Sequence, residues 1–326
     1  MTGPVADRLA VAGWGGLVVG GGLLAGVLGG ALAGVDIPVE VGMSVTRSGM
    51  NAAAVACVGI TLLGVLLPLG AAALPGSVLR DLVRVQASAD RVTVAAAGLW
   101  VALVLSGIAF RTADALARPL TRLTAADVGA WSTQLAAGRG YLLTASCAVV
   151  VLGCGIARIR HSDAVQIRIP LIAALLGALM PALTGHTGSA ADHQLAVISA
   201  ALHVGAAALW VGGLAALLVL VARHRALLDS VLPRFSTLAG GCVLAVAITG
   251  VVNAETRLED WAALATTGYG GLVLAKTALL LALAGLGGLA RRRLGARRTP
   301  VLRWAGFEVS LMAVTIGVAA ALTQTG

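Results

Sequence analysis

The chain alternates continuous apolar runs with short polar connections, and most of the runs are about 20 residues long, the length that carries a helix across the hydrocarbon core of a bilayer. No other feature limits the fold so strongly. In hydrocarbon every backbone N–H and C=O must find its partner inside the protein, so only helices and closed barrels span a membrane. A barrel needs segments that alternate apolar and polar residues, and these runs do not alternate. Charged residues make up 11% of the 326 positions, whereas a soluble domain carries about 25%. The expected fold is an all-α polytopic membrane protein.

Nine spans are expected, at about 11–33, 50–74, 92–110, 140–159, 169–186, 195–221, 235–254, 270–290 and 304–323. The first is glycine-rich, and Gly16, Gly20, Gly22, Gly26 and Gly30 give the small-xxx-small spacing that lets helices approach closely. Only Arg8 precedes it, and Ala31-Leu32-Ala33 has the look of a signal cleavage site. The run is longer than a signal-peptide core and is read as a retained helix. Pro68 predicts a kink in the second span. Pro170 opens the fifth, and Pro181 disturbs its end.

Arginine placement sets the orientation. With the N-terminus in the cytoplasm, the inner segments hold Arg8, then Arg80, Arg84 and Arg91, then Arg158, Arg160 and Arg168, then Arg223, Arg225 and Arg234, and finally the cluster Arg291 to Arg303. Most of the acidic residues fall on the other side, among them Asp36, Glu40, Asp114, Asp127, Asp192, Glu255, Glu259 and Asp260. An N-in, C-out topology follows. The net charge of +9 is then a topology signal, and no nucleic-acid partner is expected. The segment 111–139 lies outside yet carries four arginines. Leu116, Leu120 and Leu123 recur at helical spacing, and Thr124-Ala125-Ala126-Asp127 resembles a capping box before a second short helix containing Trp131. Two amphipathic interfacial helices are expected there, between spans three and four, lying on the outer surface as a brace.

The chain divides into an N-terminal membrane region, 1–165, holding spans one to four and the outer segment, and a core membrane domain, 166–326, holding spans five to nine. It contains no phosphate-binding GxxxxGK[ST] loop, no dinucleotide fingerprint and no inner segment long enough for an ATPase. Cys57, Cys147, Cys154 and Cys242 all lie in apolar runs without a CxxC, which indicates neither a disulfide framework nor a zinc knuckle. Cys147 and Cys154, seven apart, share a helix face; packing is the default role, with a soft-metal role as the alternative.

The chemistry concentrates between Leu183 and Gly213. His186 and His193 sit in a polar break with Asp192, on the outer side, and His203 lies inside the sixth span. At 1.5 Å per residue His203 is roughly 12 Å below the outer surface and Met180, on the preceding span, roughly 9 Å below it. Two imidazoles and a carboxylate at the mouth, with an imidazole and a thioether inside, form a graded set. Imidazole suits copper, and thioether selects Cu(I); Met43 and Met50 could add soft ligands. Each residue alone has a plainer reading: solvated loop histidines, a histidine satisfied by a neighbouring helix, a packing methionine. Three histidines within 18 residues, in a chain with only five, favour the metal reading. His161 and His224 lie in arginine-rich inner loops and need only solvent.

Trp210 follows His203 by one heptad and shares its face. It either floors the site or packs the helix, with Gly212 and Gly213 admitting a close neighbour. Lys276 is the chain's one lysine, about six residues into the eighth span, and an intramembrane charge is a functional candidate. Glu308, near the inner end of the ninth span, pairs more simply with Arg303.

Leu183-Thr184-Gly185-His186, Ala201-Leu202-His203 and Leu209-Trp210-Val211-Gly212-Gly213 together resemble the copper resistance protein D (CopD) family. Arg234-Phe235-Ser236, Thr249-Gly250, Tyr269-Gly270 and Lys276 continue the resemblance, which covers nearly the whole chain in the form of the longer actinobacterial members. It implies a multi-pass protein of the cytoplasmic membrane in copper homeostasis, usually assigned to copper uptake, with His186, His203 and Trp210 at the functional positions and Lys276 at a family position of undefined role. It also implies a separate extracytoplasmic copper donor. Copper, as Cu(I) or Cu(II), is the expected ligand, with His186, His193, His203 and Met180 as metal candidates and Trp210, Asp192 and Lys276 in support. The chain is not expected to be an enzyme. Two readings compete. A b-type cytochrome would need two axial histidines at matching depth, and only His203 is clearly intramembrane. A copper-loading factor for a cuproenzyme would bind copper and move nothing.

Overall fold

A computed structural model describes residues 37–68, 75–183, 193–255 and Gly285, and the described segments are helical with short connections. Helix α1 covers Ile37–Leu66, α2 Gly76–Ala115, α3 Ala125–Gln134, α4 Ala136–Arg160, α5 Arg168–Leu183, α6 His193–Ala216 and α7 Arg225–Glu255. A π-helical turn, Leu217–Val221, continues α6, and a 3-10 turn, Leu120–Arg122, precedes α3. Among the described residues five segments are long and apolar enough to cross a membrane: Val39–Leu66, Gly76–Ala115, Ala136–Arg160, Gln194–Val221 and Arg225–Val252. Helix α5 is shorter. The expected first, eighth and ninth spans lie outside the described residues.

Helix α1 is the axle. It packs against α2 on one side and α6 on another, with α5 between, while α2–α4, α4–α5, α5–α6 and α6–α7 pair in turn around it. Two apolar clusters result. One joins Met50, Cys57 and Val58 of α1 to Trp100 and Val104 of α2, Tyr141 and Val151 of α4, and Ala174 of α5. The other joins Leu63 of α1 to Leu82 and Val85 of α2, Trp210 and Val221 of the α6 segment, and Leu227, Val231 and Phe235 of α7. Large apolar side chains also face outward, including Leu99, Leu143, Ile172, Ile198, Leu202, Leu244 and Ile248, each more than half exposed. A water-soluble fold does not leave such faces bare; a bilayer solvates them. Among the described residues no buried side-chain nitrogen or oxygen lacks a hydrogen-bond partner, as hydrocarbon surroundings require.

Glycines set the closest approaches. A Cβ on Gly59 would land on the carbonyl of Gly212, and one on Gly212 on the carbonyl of Val55. Gly177 of α5 leaves the notch that seats the Trp100 ring, with an added Cβ 2.7 Å from its Cη2.

Three boundaries differ from the sequence expectation. The second span begins at residue 37 rather than 50. The stretch 37–49 carries five polar side chains among thirteen residues; Ser44, Thr46 and Ser48 are buried, and Thr46 gives its hydroxyl proton to the carbonyl of Gly42 at 2.8 Å. Pro68 terminates this helix rather than kinking it, because the residue before a proline is steered away from helical geometry. Helix α2 runs 40 residues, roughly 60 Å at 1.5 Å per residue, well beyond the spanning minimum.

The 111–139 segment holds one short α-helix where two were expected. Leu116 and Leu120 belong to the end of α2 and to the 3-10 turn. The end of α2 is closed by N–H groups of Ala117 and Arg118 bonding the carbonyls of Asp114 and Ala113, both at 3.0 Å, with Ala117 left-handed at φ 47°. This is a Schellman stop. The capping box stands as expected: Thr124 accepts from the Asp127 N–H, and the Asp127 carboxylate accepts from the Thr124 N–H at 2.9 Å. Trp131 is buried against Tyr141, edge-on at 5.8 Å. The carboxyl of Asp127 is held below the ordinary carboxylate range by the Thr124 N–H and hydroxyl first, and further by Arg118. A depressed folded-state pKa contributes stability above the ordinary value and loses it as pH falls through the lowered one, so the cap is intact at neutral pH and weakens in acid. Thr124→Ala is expected to cost about 1 kcal/mol, read as a lower melting temperature in detergent; an unchanged melt would mean that α3 is held by Trp131 alone.

Candidate functional site

Of the residues singled out from sequence, His186, Asp192 and Lys276 lie outside the described residues, and of His193 only its place as the first residue of α6 is described. His203 and Met180 are placed. His203 is ten residues into α6, roughly 15 Å along its axis, within a candidate span.

His203 is held by α7. Its Nδ1 lies 3.0 Å from the hydroxyl of Thr249. That hydroxyl is 2.6 Å from the carbonyl of Ala245, one turn back on its own helix. Ser199, one turn before His203, donates to the Thr249 carbonyl at 3.2 Å. The ring lies along the α7 backbone at Gly250, where an added Cβ would stand at ordinary contact distance, 3.8 Å, from His203 Cε1. Thr249 is thus the polar hub of the α6–α7 contact. It carries no ionisable group, and its partner is 46 positions away, so only its place in the quoted family pattern marked it in the sequence.

Met180 stands near the end of α5. Leu179 of α5 lies against Gly205 of α6, its Cδ2 3.7 Å from a Cβ placed there. Counting outward from that contact sets Met180 and His203 within about one residue rise, 1.5 Å, in depth. Both side chains are half-buried.

Below this level a groove of about 500 Å³ runs between α5, α6 and α7. Its walls are Leu175 and Leu179, then Ala201, Leu202, Gly205, Ala206 and Leu209, then Thr237, Leu238, Gly241, Cys242 and Ala245. Ala201, Leu202 and Ala245 put one end beside His203. Cys242 lies on its wall seven residues along α7 from Thr249, roughly 10 Å. All four cysteines are free thiols, and Cys57 and Cys242 are buried in the apolar clusters. Cys147 packs beside Gly177, 2.8 Å from a Cβ placed there. Among the described residues no three His, Cys, Asp or Glu side chains converge as a metal cage.

Trp210 is 6% exposed and belongs to the cluster of α1, α2, α6 and α7, so the structure places its ring in helix packing. His224 sits 3.3 Å from the carboxylate of Asp81, a partner that a solvated inner loop did not suggest.

Two charged features escaped the sequence reading. Arg47, expected in an outer loop, lies within α1 against Tyr141 of α4, to which it is hydrogen-bonded, with Arg111 nearby. Arg158 of α4 meets Asp90 of α2 at 2.9 Å, their side chains 12% and 9% exposed. The same guanidinium donates to the carbonyls of Ser162 and Val165 at 3.0 and 2.9 Å. That ion pair ties α2, α4 and the following connection together.

Residues 229–322 match the family described as Copper resistance protein D, CopD; the match includes Thr249 and Lys276 and begins after His203. The "Copper transport protein CutJ" of Bacillus subtilis (strain 168) is 30% identical over 138 residues, covering 39% of this chain and 26% of that protein. The chain thus spans about a quarter of the length of the curated relative it matches. No solved structure matches the chain.

Proposed function

We propose a copper-transport protein of the cytoplasmic membrane, carrying copper inward, for a chain whose residues 229–322 match the CopD family. The observation that carries this reading is a half-buried imidazole inside a candidate span, hydrogen-bonded by a residue of the family-matched segment. An intramembrane histidine marks an ion or proton path by default, and imidazole with thioether is a donor set suited to copper. The name of the Bacillus relative supports copper as the cargo.

In this proposal copper is captured from a separate extracytoplasmic donor protein by His186 and His193 with Asp192, on the outer side of an N-in, C-out protein of nine spans. It then meets His203 and Met180 at one depth. Cys242, on the wall of the groove between α5, α6 and α7, offers the next soft ligand on the inward route in this proposal. Lys276 adds a fixed positive charge on the eighth span. Helix α3 braces the outer surface at the interface. The chain performs no chemical conversion; copper is its substrate throughout.

His203→Ala is expected to weaken copper binding by more than about 100-fold, the upper end of what losing an outer-shell partner of a ligand costs, and to abolish copper accumulation in cells that depend on this protein. Bound metal in the purified protein and cellular copper check the two halves separately. Copper uptake unchanged by His203→Ala would sink the transport reading. Copper bound normally, with cellular copper unchanged on deletion of the whole protein, would point to a loading factor.

A further inference from the structure

We infer that Thr249 is a positioning residue for His203, fixing one tautomer of the imidazole so that its Nε2 carries the lone pair. The argument starts from the proton count of a hydroxyl. Thr249 has a single O–H proton. Its oxygen lies 2.6 Å from the Ala245 carbonyl and 3.3 Å from the Val246 carbonyl, both on its own helix. Two oxygens at 2.6 Å are at the short end of hydrogen-bonded separation, and without a proton between them they would repel. The proton is therefore committed to the helix backbone. The 3.0 Å contact with His203 Nδ1 must then be made with the hydroxyl as acceptor and the ring nitrogen as donor. A neutral imidazole donating from Nδ1 has its basic lone pair on Nε2.

The surroundings hold this arrangement in place. Ser199 donates to the Thr249 carbonyl at 3.2 Å, so α6 is pinned to α7 by two hydrogen bonds, both donated by α6 side chains to Thr249. The ring edge lies along the α7 backbone at Gly250, where an added Cβ would make ordinary contact with Cε1. A ligating histidine almost always donates its other ring N–H to an outer-shell acceptor, which fixes ring orientation and raises the basicity of the ligating nitrogen. Here that acceptor is a hydroxyl, itself polarised by the carbonyl it serves. A neutral acceptor lets the imidazole lose its metal more readily than a carboxylate would, which suits a site that passes its cargo on. The assignment of the copper-facing nitrogen rests on the transport reading above; the tautomer itself does not.

The test uses the full chain in nanodiscs, with ¹⁵N-labelled histidine, compared as wild type, Thr249→Val and Thr249→Ser. His203→Ala identifies the His203 signals among the five histidines. Without metal, wild type and Thr249→Ser should show His203 protonated at Nδ1, and Thr249→Val should show a mixture or the Nε2–H form. Cu(I), competed against a chromophoric chelator, should bind Thr249→Val about 10- to 100-fold more weakly than wild type, with Thr249→Ser recovering most of the loss. A wild-type spectrum with the proton on Nε2, or a tautomer unmoved in Thr249→Val, would overturn the inference whatever copper does. The expected tautomers together with a Cu(I) affinity equal in wild type and His203→Ala would support Thr249's hold on the ring and overturn the copper reading instead.

Discussion

Gly212→Val is expected to produce little or no folded protein. At this crossing α1 and α6 touch backbone to backbone: a Cβ on Gly212 meets the Val55 carbonyl and lies 3.0 and 3.1 Å from the N and Cα of Gly59. None of these atoms is the end of a flexible side chain, so nothing can swing away, and the helices must separate. Both apolar clusters include residues of α1 and α6, and both lose density when that distance grows. Overpacking a close-packed interior costs about 1–3 kcal/mol, occasionally more, and a clash against backbone belongs at the top of that range or above it. Gly59→Val should behave alike, since its Cβ strikes Gly212 from the other side. Gly153→Ala is the control: nothing lies within 4 Å of its added Cβ, and the better helix propensity should be neutral or worth up to about 1 kcal/mol. Thermal unfolding in mild detergent would decide. A Gly212→Val melt within about 2 °C of wild type would show that the two helices do not meet there.

Asp90→Ala should be nearly as damaging, for an electrostatic reason. Removing the carboxylate leaves the Arg158 guanidinium, with a side chain 12% exposed, without its counter-charge. Breaking a buried pair from one side costs about 3–5 kcal/mol, whereas replacing both members by apolar groups is often close to neutral. Arg158→Met should cost more than Asp90→Ala, because it also unties the Ser162 and Val165 carbonyls. The double variant should recover much of the Asp90→Ala loss, giving a coupling energy of about 1–3 kcal/mol in a double-mutant cycle. Strictly additive losses would mean that the contact does not stabilise the protein as a pair.

What the sequence made legible was local or periodic. Runs of apolar residues marked each described spanning segment, although α2 and α7 extend well past the marked ends. Thr124 and Asp127 predict their capping box because both partners lie within four residues. What hydropathy missed was polar chain that becomes helical by being packed. The first turns of α1 carry Glu40, Ser44, Thr46, Arg47 and Ser48, which read as a loop until Phe110 is seen against Gly42 and Tyr141 against Arg47. Within the site, depth was legible and partnership was not. Counting residues set Met180 and His203 near one level, since helix rise is constant. The Thr249 contact joins positions 46 apart, and the Asp90–Arg158 pair joins positions 68 apart. No local pattern encodes either. Trp210 shared a face with His203 by count, but a helix face is wide, and the large ring went to the apolar cluster.

The central place of α1 bears on how the protein is made. Its tightest neighbour, around Gly212, leaves the ribosome about 150 residues after Gly59, an interval of roughly 10–30 s at ordinary rates of synthesis. Through that interval the Gly59 side of α1, with Arg47 on the same helix, waits in the membrane or its insertion machinery for a partner not yet translated. Helix α2 follows at once and can shield one flank; the flank that α6 will occupy stays open. Biogenesis, more than the finished fold, is therefore where this protein is most exposed to mispairing, and substitutions along that flank should show themselves first as clearance by quality-control proteases.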